Sequence, residues 1–106
     1  MSVERQQVKV VLAGAAQAVP GVAYLSPELR ERVRRMLRQH ADSTAGVQVF
    51  RDGGRGSWRV EVSIAVRAGH RPDIVACAVR AAAIAELAEL EPGAATQITV
   101  IVTAVV

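Results

Sequence analysis

Ten residues near the middle of the chain constrain its fold more than any other stretch. Trp58, Val60, Val62, Ile64 and Val66 alternate with Arg59, Glu61, Ser63, Ala65 and Arg67. Successive side chains of a β-strand point to opposite faces, so this period of two predicts a strand with one apolar face and one at least partly in water. An apolar sheet face has to be covered by a second layer. The rest of the chain must supply that layer.

Both flanks of the strand fit the requirement. Gly46 opens a shorter strand from Val47 to Arg51, and Asp52, Gly53, Gly54, Arg55 and Gly56 supply turn residues that make the pair an antiparallel hairpin. Downstream, Pro72 and Asp73 begin a helix running to about Leu90, where Glu91, Pro92 and Gly93 end it. Residues 96–106 form a last strand rich in valine. A hairpin followed by a helical crossover gives a three-stranded sheet.

Two more helices precede the hairpin. Over residues 4–19, Val8, Val11, Leu12, Ala15, Ala16 and Val19 recur at the spacing of one helical face, although the β-branched Val8, Val10 and Val11 favour a strand. Gly14 costs about 1 kcal/mol relative to alanine there. Pro20 and Gly21 stop this helix. Ser26 and Pro27 are a cap and a first helical residue, and the helix they start runs to about His40. Its apolar stripe is Leu29, Val33, Met36 and Leu37, with Arg30, Arg32, Arg34, Arg35 and Arg38 round the remainder. The expectation is one α+β domain over residues 1–106, in the order α-α-β-β-α-β, with the helices on one face of the sheet.

The core of such a domain is aliphatic, since Tyr24, Phe50 and Trp58 are the only aromatic residues. Charge is uneven: residues 1–50 carry seven Lys/Arg against four Asp/Glu, residues 51–80 six against three, and residues 81–106 none against three. The single cysteine, Cys77, can form no intramolecular disulfide, and its apolar neighbours predict a buried thiol that packs as a small hydrophobe. A reducing cytoplasm fits. Glu4, Gln6 and Gln7 weigh against reading the N-terminus as a signal peptide, and no segment is long enough to span a bilayer as a helix.

Catalytic or metal-binding constellations are missing from the pattern. His40 and His70 have no Cys, His or carboxylate neighbour at ligand spacing, and Cys77 has no nearby base. Ser2, Ser26, Ser43, Ser57 and Ser63 sit in no nucleophile elbow. The residues therefore predict a non-enzyme without cofactor or metal. Gly53, Gly54, Arg55 and Gly56 spell a GXXG sequence, but it joins two strands, where an RNA-binding KH loop joins helices. A nucleic-acid-binding domain using that loop and the arginines of residues 30–38 is the alternative function. The leading one is protein interaction, because between Asp73 and Glu86 the last helix carries only Arg80 as a charge. Its Val79, Ala82 and Ala83, together with Arg30, Arg34, Arg35 and Arg38, are the candidate interaction surface. Tolerance of alanine in solvent is the competing explanation of that helix.

The order of motifs carries a resemblance. Ala15-Ala16-Gln17-Ala18-Val19-Pro20-Gly21-Val22-Ala23, then Gly46-Val47-Gln48-Val49, the alternating strand, Gly69, the helix from Pro72 and a closing valine-rich strand together resemble the alkaline shock protein family of bacterial envelope stress response proteins. The resemblance covers most of the chain and rests on fold-determining residues. It implies a non-enzymatic protein, cytoplasmic or held at the inner face of the membrane by an anchored protein partner, forming homo-oligomers and serving cell-envelope homeostasis. It brings no catalytic residues with it.

Overall fold

The computed structural model describes residues 5–26, 46–52 and 57–106, and for Arg51 and Asp52 the backbone alone. The helix expected between Ser26 and His40 and the turn of Gly53 to Gly56 lie outside the described residues. Along the chain run α1 (Arg5–Gln17), β1 (Val22–Leu25), β2 (Val47–Asp52), β3 (Ser57–Val66), α2 (Pro72–Leu90) and β4 (Thr96–Val105). The fold is α+β, as the alternation and helix signals predict.

The strand of clearest alternation, β3, is the spine of the sheet. Its hairpin with β2 is antiparallel and pairs Val47 with Val62 and Asp52 with Ser57. The crossover through α2 brings β4 back parallel to β3 along the opposite edge, from Trp58 beside Thr96 to Val66 beside Val105. The sheet has four strands, not the expected three. The extra one, β1, pairs antiparallel with residues 64–66 of β3. Four residues directly after a Pro-Gly stop are too few to show a period.

Because β4 occupies one edge of β3, β1 and β2 share the other and lie end to end. They meet at Ser63, whose backbone N–H donates to Gly46 O at 2.7 Å and whose carbonyl accepts from Ser26 N–H at 2.9 Å. Gly46 has φ +95°, and a β-carbon on it would lie 3.1 Å from Ser63 O and 3.2 Å from Leu25 Cβ. The junction of the two strands is therefore tight and needs glycine.

Both helices cover the face of β3 that carries Trp58, Val60, Val62, Ile64 and Val66, all buried. Against it α1 sets Val8, Leu12 and Ala16, and α2 sets Val75, Val79, Ala83 and Leu87. Each fully buried valine or leucine of this layer contributes about 1.5–3 kcal/mol by leaving water. The opposite face is drier than its sequence predicts: Arg59 is exposed, yet Ser63 and Ala65 are buried. Trp58 satisfies its indole N–H inside the layer by donating to Glu91 Oε2 at 2.7 Å, which ties β3 to the end of α2.

Candidate interaction surfaces

The Val19-Pro20-Gly21 turn is locked against the start of α2. With φ at +95°, Gly21 lets its backbone approach so closely that a β-carbon would sit 2.7 Å from Val75 Cγ2 and 2.9 Å from His70 Nδ1. Its carbonyl accepts from Arg67 N–H at 2.8 Å. Beside this contact lies an open cleft of about 410 Å³, walled by Val19, Pro20, Gly69, His70, Arg71, Ile74, Val75 and Ala78. The lining is mainly apolar, and Ile74 is 56% exposed at it. Arg71 pairs with Asp73 at 3.0 Å, both well exposed, so the pair contributes little in water.

A second surface is the outer edge of β4. Backbone groups of a strand point alternately to its two sides, and Ala95 O accepts from Trp58 N–H at 2.8 Å. Odd-numbered residues of the strand thus turn toward β3. Thr96, Ile98, Val100 and Val102 turn outward, up to the register shift that follows Ile64. The outward carbonyl of Ile98 accepts from Arg80 Nε at 3.2 Å, reached down from α2. No charged residue occurs from Thr96 to Val106, and Val102, Val105 and Val106 are exposed.

On the sheet face away from the helices, the Arg59 guanidinium stacks 4.8 Å from the centre of the Phe50 ring, and Tyr24 is half-exposed. Such a contact is worth about 0.5–1 kcal/mol where it is open to water.

The expected interaction residues divide. Arg30, Arg34, Arg35 and Arg38 lie outside the described residues. Val79 and Ala83 are core residues, 0% and 1% exposed, and Ala82 is half-buried. The correction is one of phase: α2 buries only the stripe Val75, Val79, Ala83 and Leu87, and its exposed small residues are Ala78, Ala81, Ala85 and Ala88. Cys77 is also corrected, from buried to exposed. It sits two residues from both Val75 and Val79, which turns it away from the sheet. Sequence reasoning missed Ile74 and the outward residues of β4, although the uncharged run after Thr96 was visible.

Among the described residues, no three of His, Cys, Asp and Glu lie close enough to hold a metal ion. No described helix is long and apolar enough to cross a membrane. The structure defines a two-layer α+β domain, a mixed sheet under two helices, with an apolar cleft at one end and an uncharged strand along one edge. No protein-family model matches the chain, and no curated protein does. Solved structures of the C-terminal domain of MamM do match it. Two single-residue variants of that domain superpose with TM-scores of 0.55 and 0.56 at 16% identity, over 95% of this chain and 99% and 98% of theirs. A further variant, in a copper form, gives 0.55 at 16% identity, over 95% of this chain and 98% of its own. At that identity the likeness is one of fold.

Proposed function

We propose that this domain is a non-enzymatic protein-interaction module, that it associates with further copies of itself and with a protein partner, and that it serves cell-envelope homeostasis as an envelope stress response protein. The observation that carries the reading is the uncharged, outward-facing run of β4, with exposed Val102, Val105 and Val106 beside it. Apolar groups scattered singly on a surface need no explanation, whereas a contiguous set marks a place of contact.

The envelope role is supported by the motif residues. Val19, Pro20, Gly69 and the start of α2, which are distant in sequence, wall one cleft, and Gly21 packs closely on Val75 and His70 of that lining. The Val-Pro-Gly turn, the glycine and the helix start that belong to the resemblance to alkaline shock proteins thus come together in space. The MamM likeness concerns the course of the chain alone and by itself assigns no function, since one fold hosts many functions. The location that follows is the cytoplasm, or the inner membrane face through an anchored partner.

The test is made in the native host. A tagged copy is expected to retrieve an untagged copy, and deletion of the gene is expected to sensitise cells to agents that damage the envelope. A tagged copy that retrieves none, with a deletion strain that grows like its parent under that stress, would overturn the reading. Binding to RNA or DNA that falls steeply with added salt would favour the nucleic-acid alternative instead.

A further inference from the structure

We propose that the open edge of β4 pairs antiparallel with β4 of a second copy, across a twofold axis at Thr99, so that two sheets become one. The inference rests on the reading of the domain as self-associating and names the interface. Natural edge strands are protected by charge, proline, bulges or shortness, because unpaired N–H and C=O groups are a template for another strand. From Thr96 to Val102 the edge of β4 has no proline, no charge and no irregularity. Its protection is one contact from a neighbouring helix, the Arg80 guanidinium on Ile98 O. Among the described residues nothing else bonds to the outward groups of this run.

A second copy is the occupant because the edge is complementary to itself. In an antiparallel pair centred on Thr99, Thr96 faces Val102 and Ile98 faces Val100, and these are the four residues whose backbone groups point outward. Every cross-strand pair is neutral, and every residue in them except Gln97, which faces Ile101, is β-branched, which favours pairing on a pleated surface. The twofold closes on itself and leaves no further open β4 edge, so the product is a dimer and not a fibre. On the helical layer, the flank of α2 that carries Arg80 also carries Cys77 and Ile84, three and four residues away. That flank meets its copy across the axis. A strand of another protein would have to be chosen by charges or side-chain pockets along the edge, and the residues of the run offer no charge to choose with; the one cation resting on it, Arg80, yields Ile98 O to the Val100 N–H of the second copy.

Thr99 is exposed, with its side chain on the sheet face away from the helices, beside Glu61. A charge there therefore leaves the core intact. In the proposed dimer two copies of residue 99 stand opposite each other. Thr99→Lys and Thr99→Glu each place like charges at the axis and are expected to raise the dimer dissociation constant at least about tenfold. An equimolar mixture of the two restores the dimer. The measurement is sedimentation velocity of the full chain and both variants at micromolar concentration and low salt, with circular dichroism and urea midpoints to establish that each is folded. A wild-type dimer, two folded monomeric variants and a dimeric mixture support the proposal. If Thr99→Lys remains dimeric, or the mixture stays monomeric, the β4 interface is overturned while self-association stands. A wild-type chain that is monomeric at every concentration overturns both.

Discussion

Replacing Gly21 by alanine adds one methyl group at the most crowded of the described glycines. Its β-carbon would lie 2.7 Å from Val75 Cγ2, 2.9 Å from His70 Nδ1 and 3.0 Å from His70 Cγ. Comfortable separation of such atoms is about 3.5–4.0 Å, so the turn must move away from α2 by close to an ångström. Overpacking of this kind costs about 1–3 kcal/mol. The backbone adds its own term, because φ is +95° and a left-handed conformation costs a residue with a β-carbon about 1–2 kcal/mol. Alanine also restricts the unfolded chain, which returns about 0.4–1 kcal/mol. The net loss expected is about 2–4 kcal/mol, a large share of the roughly 5–15 kcal/mol that holds a domain folded. Urea unfolding followed by the fluorescence of Trp58, the only tryptophan and 2% exposed, measures it directly. Adding His70→Ala should recover part of the loss, since two of the three close atoms belong to that ring. A Gly21→Ala midpoint within experimental error of wild type would refute the account of the turn.

Gly14 is the contrasting case: it lies within α1, and a β-carbon added there would meet nothing within 4 Å, so Gly14→Ala should stabilise by about 1 kcal/mol and raise the thermal midpoint by about 4–8 °C. The Cys77 thiol should react with a maleimide in the folded monomer, at a concentration too low for self-association, read by mass spectrometry, because it is exposed; protection there until denaturant is added would contradict the placement of α2. Leu12→Ala, at a fully buried position, should cost about 2–5 kcal/mol in urea unfolding. Trp58→Phe removes the donor to Glu91 Oε2 and should lower stability by about 1.5–3 kcal/mol, since the acceptor is charged.

The elements with a strong period were legible before the structure. The strand of alternating residues is β3, and Pro72 to Leu90 is a helix over those same bounds, because proline starts it and Glu91, Pro92 and Gly93 stop it. Three things were hidden. Strand β1 depends on a long-range partner, residues 64–66 of β3, and carries no local signal of its own. The phase of α2 was hidden because alanine fits a core and a surface equally well. With alanine at 81, 82 and 83 in succession, composition could not show that Ala83 faces the sheet and Ala81 the solvent. The same ambiguity put Cys77 on the wrong side. The place of β4 at the edge of the sheet among the described residues was hidden for a different reason, since which strand ends a sheet is a matter of topology.

The meeting of β1 and β2 at Ser63 has a consequence for how the sheet keeps its register. Both strands occupy a single lane along β3, and the chain leaves that lane at Ser26 and rejoins it at Gly46, each held to the backbone of the same residue. Ser26 and Gly46 therefore stand side by side as two fixed posts, and the register of β1 and of β2 on β3 is kept by bonds that lie outside the connection between them.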